Sequence, residues 1–361
     1  MKHGLFIFIL LVTVSCAIPH YPKKYEKLGI YNRDSIKEIA INPLGTNQIN
    51  IQYLGCGNIY IKHHNDAILF DPFFSNTPGY KVAFGKIKFN QKYFDKGSYY
   101  LNRFGNNYQS INGIFISHAH YDHLLDLPYL LENKLIDNST KIYGSGSVKT
   151  ILNNFIKSNP FINQDSLVFI PKTKPNWIYI SNEMRVLVIP ASHAPHIANI
   201  HFMHGQCDSN YFKNYTSTNQ KVKAGQFKDG STFAYLVDIL NNDSITLRLL
   251  LKGAGCNVNN GKIFEELLAE KAVDIALLQV ASANFTDCYP QNLVNQIKPK
   301  KVILTHWEDF FKPYAPKKIK TVRATNFNYF YKKIKASEEA NFELNNKYIM
   351  PNIGNMLIYR Y

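Results

Sequence analysis

The chain has 361 residues, 45% hydrophobic and 19% charged, with 24 Tyr and 24 Phe; this supports a large packed core and excludes an intrinsically disordered chain. Lys and Arg number 41 against 26 Asp and Glu, a formal net charge of +15, which favours anionic partners such as phosphate esters or acidic lipid surfaces. The lysines are scattered and form no basic arm, so no nucleic-acid partner is expected.

Met1-Lys2-His3-Gly4 precedes an apolar run over 5–14 and then Ser15-Cys16-Ala17, the layout of a secretory signal peptide over residues 1–17. The run is shorter than the roughly 20 residues of a membrane-spanning helix. Two processing routes are open, cleavage after Ala17 or lipidation at Cys16, and Thr13 fits the lipoprotein pattern poorly. Either route predicts export, with the product periplasmic, secreted or lipid-anchored, and with membrane-surface association as one outcome. In an oxidising compartment Cys56, Cys207, Cys256 and Cys288 allow three pairing patterns, and one disulfide is expected. Asn138, Asn214, Asn242 and Asn284 lie in N-x-S/T sequons.

Residues 18–45, rich in Lys, Tyr, Pro and Asn, read as a leader segment with one short helix near 35–40. Residues 46–361 read as one folded domain, in which short β-rich runs alternate with turns and helical stretches. Predicted strands cover 49–54, 59–63, 67–70, 113–117, 141–144, 167–170, 185–190, 232–238, 246–251, 275–280 and 301–305. Predicted helices cover 123–134, 147–157, 261–271 and 290–297, the last opening on Pro290, whose missing N–H costs nothing there. This order predicts an α/β sandwich.

The strand over 113–117 stops in His118-Ala119-His120-Tyr121-Asp122-His123. Folding alone gives no reason to gather three imidazoles and a carboxylate at one strand end. They are the ligand types that suit Zn²⁺, Mn²⁺ or Fe²⁺. On an extended turn His118 and His120 project to one side, while Asp122 and His123 open the next helix and can address a second ion.

The H-x-H-x-D-H spacing resembles the signature of the metallo-β-lactamase superfamily, and the resemblance extends over about 48–311. It implies a four-layer αββα sandwich with the site where strand ends meet loops. Asp71, ending the run Ile68-Leu69-Phe70, matches the family's first motif and would hold a ligand histidine from behind. His193, after the strand over 185–190, would complete the first metal's imidazoles, with His196 as competitor. His306, after the strand over 301–305, would join Asp122 and His123 on the second metal. Trp307, Phe310 and Phe311 would pack as core or pocket wall, and His201 and His204 as pocket wall or surface.

One motif of the family fails. A bridging Asp is expected after the strand over 246–251, but the chain reads Lys252-Gly253-Ala254-Gly255-Cys256, with glycine in the carboxylate's place and Cys256 as a substitute ligand. Restoring Asp at 253 would then distinguish a lost site from a different architecture. The resemblance implies a hydrolase holding one or two Zn²⁺ ions, with Mn²⁺ or Fe²⁺ as alternatives, in which Asp122 orients the attacking water. The histidine after the motif's Asp and the ending His306-Trp307-Glu308-Asp309 are similar to the branch with sugar-phosphate lactonases and N-acylphosphatidylethanolamine phospholipase D. That points to an anionic small-molecule or lipid substrate, a phosphodiester or phospholipid first and a lactone or other ester second. A metal-binding protein without turnover is the reading from another class.

Overall fold

The computed structural model describes residues 36–40, 47–171, 177–196, 200–255, 262–286, 288–314, 320–337 and 347–361. The expected signal peptide, Cys16, most of the leader and Cys256 lie outside them.

The first half of the chain builds one sheet. Its strands are β1 Ile36–Ala40, β2 Gln48–Gly55, β3 Asn58–His63, β4 Asp66–Phe70, β5 Gly113–Phe115, β6 Lys141–Gly144 and β7 Leu167–Phe169. The second half builds another from β8 Trp177–Tyr179, β9 Met184–Ala191, β10 Thr232–Asn241, β11 Ser244–Lys252, β12 Ile275–Gln279, β13 Lys301–Thr305 and β14 Tyr348–Ile349. The last strand, β15 Met356–Arg360, returns to the first sheet, whose order is β1-β15-β2-β3-β4-β5-β6-β7; the second runs β14-β13-β12-β11-β10-β9-β8.

Each sheet is mixed in the same way. β2, β3 and β4 are antiparallel and β4 to β7 parallel; β8 to β11 are antiparallel and β11 to β14 parallel. The parallel strands β5 and β12 are apolar runs buried on both faces, as in Ile275-Ala276-Leu277-Leu278. The sheets meet face to face: the Tyr235 ring of β10 stands 5.3 Å from Phe70 of β4 and 5.4 Å from Phe115 of β5, and its hydroxyl donates to the Ile116 carbonyl at 2.7 Å. Helices cover the outside. Gly146–Ser158 lays Val148, Ile151, Leu152 and Phe155, one apolar stripe at helical spacing, onto the first sheet. The architecture is the α/β sandwich of the metallo-β-lactamase fold.

Four expectations need correction. Residues 36–40 form a strand: Ile36 and Ile39 suggest a helical stripe, but pairing with β15 from Ile36↔Met356 to Ala40↔Arg360 overrides local pattern. The helix expected over 123–134 is two, Tyr121–Leu124 and Leu127–Glu132. Pro128 cannot continue a helix through its own first turn, and Asp126 accepts from the amides of Phe74 and Ser75. Cys56, Cys207 and Cys288 are free thiols, so none of the three supplies the expected disulfide. The helix expected over 261–271 is shorter, Glu265–Glu270.

Candidate metal centre

Chain ends of parallel strands collect at one edge of the sandwich, where ligands bind in open α/β sheets. β4 delivers Asp71, β5 delivers Ser117 and His118, and β13 delivers His306. Asp71 and His306 both take left-handed backbone, φ +45° and +51°. Such a conformation is costly for a residue with a Cβ and is held only where surroundings over-determine it. For His306 those surroundings are the Tyr53 hydroxyl and the Cys56 carbonyl, each 3.0 Å from its amide. Glu308 in turn accepts from the Tyr53 hydroxyl and the Cys56 amide.

Two groups of donor atoms result. His118, His120 and His193 form one; Asp122, His123 and His306 form the other, with the donors of each within 4.8 Å of one another. The six residues named by the sequence for the metals lie in these two groups. Within the first, His118 Nε2 lies 3.0 Å from His120 Nδ1. Within the second, Asp122 Oδ2 lies 3.3 Å from His306 Nε2 and 3.8 Å from His123 Nε2.

The donor set fits a divalent transition ion, and the second nitrogens of the rings say why. His118 Nδ1 meets Ser117 Oγ at 3.1 Å, His120 Nε2 meets the Met203 carbonyl at 3.2 Å, His193 Nδ1 meets the Ala194 carbonyl at 2.6 Å, and His123 Nδ1 meets Asp71 Oδ2 at 2.8 Å. Each partner takes the ring's N–H, which fixes the tautomer and turns the other nitrogen's lone pair toward the centre. Burial, and then the neighbouring imidazoles, hold His118 and His120 well below the usual histidine range. Burial likewise lowers His193 to about 4. Neutral imidazole is the ligating form. For Asp122 burial pushes upward, but His123 and His306 outweigh it and keep the carboxylate charged.

Asp71 stands behind the centre, as expected, yet it does more than hold one ring. Its Oδ1 accepts from the Ser117 amide at 2.7 Å, and its Oδ2 accepts from Ser117 Oγ at 2.6 Å and from His123 Nδ1. Ser117 then supports His118, so one carboxylate steadies a ligand in each group. No pattern in the sequence marks Ser117.

Gly253 follows β11 directly and lies beside this pair. A Cβ there would lie 2.4 Å from both Cβ and Oγ of Ser117 and 3.4 Å from Asp71 Oδ2. The space expected for a bridging carboxylate is therefore taken by Ser117 and Asp71, and restoring Asp at 253 is sterically refused while Ser117 is present. This overturns the restoration experiment suggested by the sequence. Cys256, the substitute ligand considered above, lies outside the described residues.

His196 is not in either group. Its ring stacks on His193 at 4.7 Å and 17°, and its Nδ1 accepts from the Phe202 amide at 3.2 Å. Phe310 sets its ring edge-on to His306 at 4.8 Å, while Trp307 is buried with Nε1 donating to the Pro351 carbonyl at 2.8 Å. A further pair was not foreseen. Exposed His204 has Nδ1 2.9 Å from Oδ2 of buried Asp229, whose Oδ1 accepts from the Gly205 amide at 2.8 Å. The segment is tied to the centre through Met203 and through the Ala119 amide, which donates to the Asp229 carbonyl at 3.0 Å.

Residues 67–213 match the family model of the beta-lactamase superfamily domain. Among solved structures the chain is similar to Igni18, a metallo hydrolase from the archaeon Ignicoccus hospitalis, at 14% identity and TM-score 0.48, covering 87% of this chain and 99% of that one. It is similar to YhfI of Bacillus subtilis, a metallo-beta-lactamase fold protein, at 9% identity and TM-score 0.46, covering 84% and 96%. CmlA, a diiron beta-hydroxylase from Streptomyces venezuelae, is similar at 11% identity and TM-score 0.49, covering 87% and 54%. No curated protein sequence matches the chain.

Proposed function

We propose that this chain, whose residues 67–213 match the beta-lactamase superfamily domain, is an exported metal-dependent hydrolase of phosphodiesters or phospholipids. The observation that carries the hydrolase reading is the pair of donor groups, His118/His120/His193 and Asp122/His123/His306, side by side at the strand ends. Divalent ions held there would bring the acidity of water toward neutrality and offset charge developing on the substrate. Asp122, kept ionised among histidines, would help hold a metal and orient the attacking water.

Support for an anionic lipid comes from the surface beside His306. The helix Gly79–Phe84 buries none of its side chains and exposes Tyr80 by 61% and Phe84 by 58%, with Lys81 on the same turns. Its first residue lies against Phe311, whose ring packs on Phe310 and so reaches His306. Aromatic rings beside lysines on one exposed helix suit the boundary of an anionic membrane. Among the described residues no helix is long and apolar enough to cross a membrane.

The test is a turnover panel of phosphodiester, phospholipid, lactone and carboxyl ester substrates with Zn²⁺-, Mn²⁺- and Fe²⁺-loaded mature protein, beside His120→Ala and elemental analysis. Metal-dependent turnover of the phosphodiester or phospholipid, lost in His120→Ala, is expected. Turnover confined to lactones or esters would move the substrate to the second class. Bound metal with no turnover anywhere would make the chain a metal-binding protein. Amino-terminal sequencing of the product from its host tests the export reading, with Ile18 expected as first residue.

A further inference from the structure

A third gathering of metal-type side chains lies at the other end of the sandwich. β3 runs into its turn at His63 and His64, and β4 begins two residues later at Asp66. Asp66 and the reaction centre are separated by the length of β4, roughly 16 Å at about 3.3 Å per residue. Against this turn of the first sheet the second sheet sets its own turn between β8 and β9, ending in Glu183. The two turns are fastened together: Ser181 Oγ donates to Asp66 and accepts from the Glu183 amide at 2.9 Å. Glu183 Oε2 is thereby held 2.8 Å from His64 Nδ1 and 3.7 Å from His63 Nδ1. The two rings stand 4.0 Å apart.

His63 is the informative member. Its side chain is 3% exposed, its Nε2 lies 2.8 Å from the hydroxyl of Tyr361, and its Nδ1 is buried without a hydrogen-bond partner. A buried ring nitrogen left unsatisfied is costly and calls for an explanation. Neither tautomer supplies one. If Nδ1 carries the proton, Glu183 at 3.7 Å is too far to accept it. If Nε2 carries it, donating to Tyr361, then Nδ1 points a bare lone pair toward a carboxylate. Protonating the ring is opposed by burial and by His64, which together bring His63 down to about 4 against the pull of Glu183. A cation between the three groups resolves all of this: two neutral imidazole nitrogens and one carboxylate oxygen face one point.

We propose that His63 Nδ1, His64 Nδ1 and Glu183 form a second, structural site for a divalent transition-metal ion, which clamps the turn ends of the two sheets together and anchors the C-terminal tyrosine through His63. A tetrahedral Zn²⁺ site with bonds near 2.0–2.1 Å sets its donors about 3.3 Å apart; the separations of 2.8 and 3.7 Å bracket that value, and all three donors fall within 4.8 Å. His64 and Glu183 are about half exposed and free to adjust, while His63 is the fixed point. Two imidazoles and a carboxylate select Zn²⁺, Ni²⁺ or Cu²⁺ over Mg²⁺ or Ca²⁺. Tyr361 supplies the outer hydrogen bond that ligating histidines use to fix their orientation. His64 sits in left-handed backbone at φ +48°, as the two-residue hairpin between His63 and Asp66 requires.

The test separates this site from the reaction centre by counting ions instead of turnover. Wild-type protein, His64→Ala/Glu183→Gln and His118→Ala/His120→Ala are dialysed against the same low-micromolar Zn²⁺ and analysed for metal, with circular dichroism confirming the fold. The turn variant should bind one ion fewer than wild type and keep the ions of the reaction centre; the His118/His120 variant should lose ions there and keep the one at the turns. Cu²⁺ added to the His118/His120 variant that also carries His123→Ala/His306→Ala should give an electron paramagnetic resonance signal with nitrogen coupling that disappears when His64→Ala/Glu183→Gln is added. Equal Zn²⁺ content in wild type and a folded turn variant, or no such signal, overturns the proposal whatever the activity panel shows.

Discussion

Replacing Gly253 by alanine is the sharpest test of how the centre is built. The added methyl would stand 2.4 Å from Cβ and Oγ of Ser117, where carbon atoms in contact prefer about 3.5–4.0 Å. Ser117 Cβ is fixed by its backbone, and Oγ cannot swing away without leaving Asp71 and His118. Overpacking of this kind costs about 1–3 kcal/mol, and losing a hydrogen bond to a charged group about 1.5–3 kcal/mol. Gly253→Ala should therefore lower the unfolding free energy in urea by about 3–5 kcal/mol with an unchanged slope against denaturant. Ser117→Gly removes both clashing atoms, so the double variant should recover stability, with a coupling energy of about 1–3 kcal/mol in the cycle. Gly253→Asp should behave at least as badly as alanine and should gain no activity. A Gly253→Ala protein within about 0.5 kcal/mol of wild type, the scatter expected of a neutral change, would refute the reasoning.

Asp71→Asn should leave the fold intact by circular dichroism yet weaken metal affinity about 10–100-fold in chelator competition, since it steadies His123 and, through Ser117, His118. Asp126 is pushed up to about 7 by burial, against the Ser75 and Phe74 hydrogen bonds that lower it. Its folded pKa lies above the unfolded one, so the native state binds more protons in between and stability must fall as pH rises from about 4 to about 7. In urea unfolding at several pH values, Asp126→Asn should lack that component of the slope. Asp238→Ala leaves Arg248 buried without its bidentate partner at 2.6 and 2.8 Å and should cost about 3–5 kcal/mol in the same assay. Tyr80→Ser/Phe84→Ser should reduce sedimentation with phosphatidylserine vesicles while leaving metal content unchanged; undiminished binding would remove the surface argument for a lipid substrate.

Much of the fold was legible because parallel, doubly buried strands are apolar runs that end abruptly in polar residues, as at Phe70-Asp71 and Thr305-His306. The two donor groups were visible for the same reason: imidazoles at strand ends have no folding role to hide behind. What escaped depends on partners remote in the chain. β1 looked helical because its pairing with β15 is invisible locally. The helix Gln91–Asn102 was not expected, since Gly97 interrupts its pattern; the glycine is needed because a Cβ there would lie 2.0 Å from the Phe74 ring. Ser117 was passed over because nothing in its neighbourhood predicts that it would stand where a carboxylate at 253 was expected. The His204–Asp229 pair joins residues 25 apart in the chain, which no local pattern marks.

β15 is inserted between β1 and β2, and it is made of the last residues of the chain. The first sheet can therefore close only after residues 356–360 are made, because residue 36 waits for residue 356. Contacts of such separation are the slowest to form. A nascent chain of this design keeps that edge of its first sheet open until residues 356–360 arrive to fill it.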